Sequence, residues 1–185
     1  MKKTAVAALF GVAFGLGAAA HADTYEVDSE NSVIEFQYKQ MGVNMKGSFA
    51  NLQGSIVFDE AEPDKMAAQI ELPLDTVDTG TEEADDELIK PEWFDMANHP
   101  AASFESTQVT PADTGEYTVD GVLQIKGETQ ELAFPVTVSH DDAGNLIFET
   151  EFEIDRGDFD VGSGSWSDPS IVSNEVKVKA RVVSK

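Results

Sequence analysis

Apolar and polar residues alternate with period two along most of the chain. Ile34, Phe36 and Tyr38 fall on one side of a run whose other side carries Glu35, Gln37 and Lys39. The pattern returns at Leu52, Ile56 and Phe58, at Met66, Ala68, Ile70 and Leu72, and at Tyr117, Val119, Leu123 and Ile125. It continues through Leu132, Phe134, Val136 and Val138, then Leu146, Phe148, Phe152 and Ile154. The last run sets Val176, Val178, Ala180 and Val182 against Lys177, Lys179 and Arg181. Such alternation predicts strands with one buried and one wet face, as in antiparallel sheets. One further strand around Ala102–Thr110 brings the expected count to about eight. Links such as Lys126-Gly127-Glu128 and Asp141-Asp142-Ala143-Gly144-Asn145 suit hairpins between neighbours in an up-and-down meander. With no repeat, linker or shift in composition, the strands form one domain.

Thr81–Ala97 breaks the rhythm. Acidic residues crowd its start, where a helix presents its positive end, and Pro91 stops that helix or opens a second one. Leu88, Ile89, Trp93 and Phe94 supply an apolar side, so a short helical insertion against an all-β body is expected. Eight antiparallel strands allow a closed barrel or a two-sheet sandwich, and closure has the advantage of removing exposed edges. An eight-stranded barrel is just wide enough to be filled by side chains or to hold one small ligand. The inward set, with Ile34, Phe36, Phe58, Ile70, Leu72, Leu123, Phe134, Phe148 and Phe152, is almost free of polar atoms. It would line a cavity for a long hydrocarbon, or it would pack on itself as an ordinary core.

Charge and the first residues narrow the setting. The 185-residue chain has 12 Lys+Arg against 35 Asp+Glu, a formal net charge of −23, and no cysteine. That acidity excludes nucleic acid and disfavours anionic membrane surfaces, both of which select basic faces. Without cysteine there are no disulfides, thiolate metal sites or thiol nucleophiles. Lys2 and Lys3 precede an uncharged run from Thr4 to Ala20 that closes with Ala20-His21-Ala22. This is the pattern of a secretory signal peptide over residues 1–22, cleaved between Ala22 and Asp23. The run is shorter and richer in glycine than a spanning anchor, and no later stretch could insert stably in a membrane as a helix. Residues 23–185 would then reside in a bacterial periplasm or outside the cell, with a charge of −25 once Lys2 and Lys3 are lost.

Catalytic chemistry is hard to assemble from the remainder. His99 and His140 sit in separate turns and do not make the three-ligand array that zinc needs. Gly162-Ser163-Gly164-Ser165-Trp166 lacks both the glycine spacing and the strand-to-helix setting of a nucleophile elbow. Asp75, Asp78, Glu82 and Glu83, like Asp155, Asp158 and Asp160, read as solvated acidic faces, not calcium loops. Arg156 stands out among so few cations. It is read either as a headgroup contact at a cavity mouth or as an ion pair closing a strand end. Trp93 and Trp166 either cap a cavity or pack a loop onto the barrel.

Several segments, in order, resemble the YceI-like family of bacterial periplasmic polyisoprenoid-binding proteins. They include Tyr25-Glu26-Val27-Asp28, Gly47-Ser48-Phe49, Leu52-Gln53-Gly54-Ser55-Ile56-Val57-Phe58-Asp59 and Trp93-Phe94-Asp95. His99-Pro100-Ala101-Ala102-Ser103-Phe104, the run Val119–Gly127 and Arg156-Gly157-Asp158-Phe159 follow. The resemblance implies an eight-stranded antiparallel lipocalin-like barrel with a helical insertion, an isoprenoid chain held in an apolar tunnel and no established catalytic activity. On that reading the tunnel is lined by Ile34, Phe36, Tyr38, Phe58, Ile70, Leu72, Leu88, Trp93, Phe94, Leu123, Phe134, Phe148 and Phe152. Gln40, Glu87, Arg156 and Trp166 are the mouth candidates. No cofactor is required beyond a bound isoprenoid lipid or quinone. Where many members carry His in F-x-x-x-H-x-G this chain has Gln40, and where they carry R-D-x-H-L it has Ala84-Asp85-Asp86-Glu87-Leu88. A diphosphate wants cationic partners, so the loss of two His and one Arg points to a neutral, quinone-like headgroup. Two alternatives stay open: a redox accessory passing electrons from a bound quinone to a membrane protein partner, and a stress-protective envelope protein with a filled core.

Overall fold

The computed structural model describes residues 23–185; the expected signal peptide, residues 1–22, lies outside them. Ten strands form one antiparallel sheet curled into a half-barrel: β1 (Asp23–Glu26), β2 (Val33–Gln40), β3 (Val43–Phe49), β4 (Gln53–Phe58), β5 (Ala67–Pro73), β6 (Ala101–Pro111), β7 (Glu116–Ile125), β8 (Glu128–His140), β9 (Leu146–Asp155) and β10 (Glu175–Ser184). The spatial order is β1-β4-β5-β6-β7-β8-β9-β10-β2-β3, so β4 to β10 make the expected meander. Two seams draw the curl round. Val27 bridges Ser184, with Asp28 N–H donating to the Val183 carbonyl at 2.7 Å, and Ser48 bridges Asp78.

The expected count of eight is corrected to ten. β1 is too short to show alternation. β3 reads Val-Asn-Met-Lys-Gly-Ser-Phe, and its inward positions, Met45, Gly47 and Phe49, face Tyr38, Phe36 and Ile34 across the β2–β3 ladder. Gly47 interrupts the apolar pattern because the Phe36 ring lies over it. A Cβ there would sit within 3 Å of that ring. The two-residue turns at Met41-Gly42 and Lys126-Gly127 have positive φ at both residues (48° and 80°, 52° and 84°), the twist that tight hairpins prefer.

The helical insertion is shorter than its predicted span. Helix α1 covers Glu82–Leu88, capped by the Thr81 side chain accepting from the Ala84 N–H. Non-helical turns then carry Trp93 and Phe94 inward, Phe94 N–H donating to the Leu88 carbonyl at 3.1 Å. Pro91 lies where the helix has given way to turns.

One ladder is incomplete. β8 pairs with β9 only from Thr137↔Glu149 to His140↔Leu146, although both strands continue beyond. Pro135 sits where the pairing stops. Counting from the hairpin pair Ile125↔Glu128, Thr118↔Pro135 is a non-hydrogen-bonded position of the β7–β8 ladder, so the donor that proline lacks would have pointed at β9. The Thr150 hydroxyl donates to the Pro135 carbonyl at 2.6 Å. Below it, Phe134 and Phe152 stack across the gap with ring centroids 4.5 Å apart.

Candidate functional site

The concave face of the sheet holds a cavity of about 290 Å³. One end is walled by Ile56, Phe58, Met66 and Tyr117 among others. The other is walled by Trp93, Phe159, Val161 and Val172, with Tyr38, Leu88, Phe94 and Trp166 packed against them. Between the ends, Phe104, Phe134 and Phe152 form a tilted-then-stacked aromatic wall. The lining is almost wholly carbon. Period-two strands bring it about, since every second residue of β2 and β4–β10 faces inward once the sheet curls.

All thirteen residues expected along a tunnel line this cavity: Ile34, Phe36, Tyr38, Phe58, Ile70, Leu72, Leu88, Trp93, Phe94, Leu123, Phe134, Phe148 and Phe152. Pattern reading missed Phe49, Leu74 and Phe159, which also line it. Phe49 follows the glycine-broken run of β3. Leu74 and Phe159 lie in short 3-10 turns, Leu74–Thr76 and Arg156–Phe159, where no strand period applies.

The four mouth candidates are linked by a chain of contacts. Gln40, half-buried on the inward face of β2, forms a bridge with Val172. The Val172 carbonyl accepts from Arg156 Nη2 at 2.8 Å, and the same nitrogen donates to the Trp166 carbonyl at 2.7 Å. Trp166 Nε1 in turn donates to Glu87 Oε1 at 3.1 Å. Gln40, Glu87 and Trp166 flank the cavity, whereas Arg156 also lines it.

Arg156 is 5% exposed, and its role differs from the expected ion pair. Its remaining donors reach the carbonyls of Ser173 (3.0 Å), Val161 (2.6 Å) and Gly162 (2.9 Å). All five N–H groups are thus spent on five backbone carbonyls of one loop region. Burial pulls its pKa down from the ordinary arginine value, and the neighbouring Asp155 opposes this. The guanidinium also lies 5.8 Å from the Trp93 ring centroid, within cation–π range. A Cβ on Gly162 would collide with this guanidinium. Arg156 therefore clasps the 156–174 loop and has no donor left for a ligand.

Glu87 is the carboxylate at this end, and both of its oxygens are engaged. Lys90 pairs with it, and that hydrogen bond is the largest cause of its lowered pKa, with Trp166 contributing. Trp93 adds a smaller pull on the same carboxylate. The buried Trp93 Nε1–H faces that carboxylate without closing a full-strength hydrogen bond. Tyr38 is the other polar group in this cluster. Burial alone acts on its phenol, raising its pKa. His99 rests over Gly127 and His140 is exposed at the end of β8. Among the described residues no group of three or more His, Asp or Glu could hold a metal ion, and no helix is long and apolar enough to cross a membrane.

A curled antiparallel sheet with a short helix at one end and a carbon-lined cavity through its middle defines an all-β cavity protein. The YceI-like domain model matches residues 25–184, and the chain belongs to that family. A UPF0312 protein of Pseudomonas aeruginosa is 32% identical over 141 residues, spanning 75% of this chain and 71% of its own length. Among solved structures, BcnA of Burkholderia cenocepacia superposes with a TM-score of 0.81 at 34% identity, over 86% of this chain and 99% of its own. A polyisoprenoid binding domain from Saccharophagus degradans gives 0.70 at 18% identity, over 90% and 99%. At that identity the likeness is one of fold.

Proposed function

We propose that this protein is a binding and carrier protein for an isoprenoid lipid, holding the chain in the cavity between the Phe58–Tyr117 end and the Trp93–Val172 end. The cavity itself carries the reading. Protein interiors are close-packed, and a hollow of about 290 Å³ walled almost entirely by carbon offers water few hydrogen-bonding partners. A branched hydrocarbon chain fills it and is itself driven from water, at roughly 25 cal/mol per Å² buried. The family membership and the polyisoprenoid-binding structural neighbour point to the same class of ligand.

The headgroup is neutral and quinone-like on this reading. Arg156 has no donor to spare, Glu87 places an anion beside the mouth, and Gln40 stands in place of a cation. Carriage is the reading that a lining almost wholly of carbon supports. Residues 1–22 supply the export signal that would place residues 23–185 in the periplasm, and a membrane protein partner would deliver or receive the lipid.

The test is mass spectrometry of an organic extract from protein isolated from its native envelope without detergent. One isoprenoid per chain is expected. An empty extract together with no thermal shift on adding isoprenoids would overturn the reading. Tighter binding of farnesyl diphosphate than of farnesol at moderate salt would overturn the neutral headgroup. Glu87→Arg is expected to narrow that preference by about tenfold, about 1.4 kcal/mol.

A further inference from the structure

The two ends of the cavity differ in what they show to solvent. Among the described residues the large apolar side chains left exposed are Met41 (71%), Val43 (61%) and Ile89 (49%), and all three belong to the helix end. Met41 and Val43 form the tip of the β2–β3 hairpin, whose base is fixed there. Gln40 bridges Val172, Met41 N–H donates to the Ile171 carbonyl at 2.8 Å, and Ser173 N–H donates to the Lys39 carbonyl at 2.8 Å. Ile89 follows Leu88, which packs on the Trp93–Val172 cluster as Tyr38 does. Tyr38 lines the cavity, whereas Met41 and Val43, further along the hairpin, do not. The tip therefore runs on past the lining. Turn chemistry does not ask for these residues: Met41 holds φ 48° in a two-residue turn, a position that favours Asn, Asp or Gly.

Charge singles out the same hairpin. From Phe36 to Phe58 there is no Asp or Glu, in a chain that has 35 of them. Of the ten cations in residues 23–185, six close ion pairs and Arg156 is held by backbone carbonyls. Lys39, Lys46 and Lys179 remain. Lys179 stands between Glu151 and Glu35 on its two ladders, but Lys39 faces Asn44 and Lys46 faces Gln37. The two cations with neutral partners are thus both exposed on the hairpin that carries the apolar tip. Building on the isoprenoid reading, we infer that this tip is a docking surface for a phospholipid bilayer. Met41 and Val43 enter the interface while the Lys39 and Lys46 ammonium groups meet lipid phosphates. Apolar side chains flanked by cations fit the boundary between acyl chains and headgroups. The acidic remainder of the molecule is repelled from that surface, so contact is confined to the tip and presents the helix end of the cavity to the membrane.

The chain has no cysteine, so a single nitrobenzoxadiazole fluorophore can be attached at Asn44→Cys beside the tip, or at Ala143→Cys in the β8–β9 turn. Both positions are exposed. The mature chain is titrated with vesicles of phosphatidylcholine alone and with about one-fifth phosphatidylglycerol, no isoprenoid being present. Emission is expected to rise and shift to the blue at position 44 and to stay unchanged at position 143. Met41→Ser with Val43→Ser should lower vesicle affinity about tenfold or more on both compositions. Lys39→Gln with Lys46→Gln should lower it about 10- to 30-fold on the anionic vesicles and little on the neutral ones. Farnesol offered in water should bind the parent and the Met41→Ser, Val43→Ser variant equally, while its uptake from vesicles slows about tenfold in the variant. A parent that binds neither vesicle, equal responses at 44 and 143, or an affinity unmoved by the tip substitutions overturns the docking surface, whether or not farnesol binds. A dimer in sedimentation that the tip substitutions dissolve assigns the tip to a second copy and overturns it too. Failure of both forms to take up farnesol overturns the isoprenoid reading alone.

Discussion

Gly47 is where a single atom decides the packing. Its Cα faces the Phe36 ring across the β2–β3 ladder, and a Cβ would lie 2.4 Å from Phe36 Cζ. Gly121 repeats the arrangement under Phe104, at the same 2.4 Å. Gly47→Ala is expected to destabilise by about 1–3 kcal/mol, the usual range for overpacking, and Phe36→Leu in the same chain should recover much of that loss. Urea denaturation of the two single variants and the double variant checks it; additive losses would show that the ring does not impose the glycine. Arg156 is the second such residue. Arg156→Lys keeps the charge but can satisfy at most three carbonyls, and it is expected to cost about 3 kcal/mol. Among the described residues no carboxylate forms an ion pair with this cation, Asp155 acting on it only from a distance, so Arg156→Met should cost a similar amount, with no recovery at acid pH. The sequence marked Arg156 through the scarcity of cations, and it marked the inward aromatics through their period. It could not show what Arg156 touches, because backbone carbonyls from a loop leave no pattern in side-chain identity.

Legibility at the level of elements follows how much of each element repeats. β2, β4, β5 and β7–β10 run long enough for the period to emerge, and residues it sets inward, such as Phe36, Ile70, Leu123 and Phe148, line the cavity; Leu132 and Leu146 share the period but do not line it. β1 is four residues long, β3 has its middle inward position filled by a glycine, and the 3-10 turns bearing Leu74 and Phe159 have no period at all. Acidic crowding and Pro91 located α1, but its end came earlier than the apolar residues suggested, because Trp93 and Phe94 reach inward from turns and not from a helix face. The gap between β8 and β9 has one legible cause, Pro135, whose missing donor would have faced β9. Pro135→Val supplies that donor and leaves the β7 side unchanged. The ladder is expected to lengthen past Thr137↔Glu149, slowing amide hydrogen exchange over 150–153 by about tenfold, the equivalent of one extra hydrogen bond. Unchanged exchange there would mean that the Phe134–Phe152 stack, not the proline, holds the strands apart.

Charge acts on the whole molecule. Across residues 23–185 ten basic residues face 35 acidic ones, and three of the ten are on the outer face of β10. There Lys177, Lys179 and Arg181 stand opposite Glu153, Glu151 and Glu149 of β9; the Lys177–Glu153 pair closes at 2.9 Å and Arg181–Glu149 is longer, at 3.9 Å. The rest of the surface is left strongly acidic. Salt acts on both features with opposite sign, weakening exposed pairs that are each worth little and screening the repulsion of a −25 surface over its full extent. The second effect is the larger one, so thermal stability at pH 7.5 should rise by about 3–6 °C between roughly 0.01 and 1 M NaCl, or about 1–2 kcal/mol for a chain of this size. Acidification works on the same balance. Asp28, Glu87, Asp141 and Asp168 all have lowered pKa values, chiefly through hydrogen bonds from Asn31, Lys90, Asn145 and Ser170 respectively. Their contribution is complete above the ordinary carboxylate range near 4 and is lost as the pH falls through and below it. Lys90 and Lys177, raised by Glu87 and Glu153, contribute in full below the ordinary lysine pKa and lose that contribution as the pH climbs past their raised values. The same fall in pH that removes the carboxylate terms also discharges the surface, so the gain from salt should shrink steadily from pH 7.5 to pH 4. Melting curves across that grid decide the matter: stability that falls with salt at pH 7.5 would mean the β9–β10 pairs outweigh the repulsion, and a salt effect independent of pH would mean that net charge is not its source.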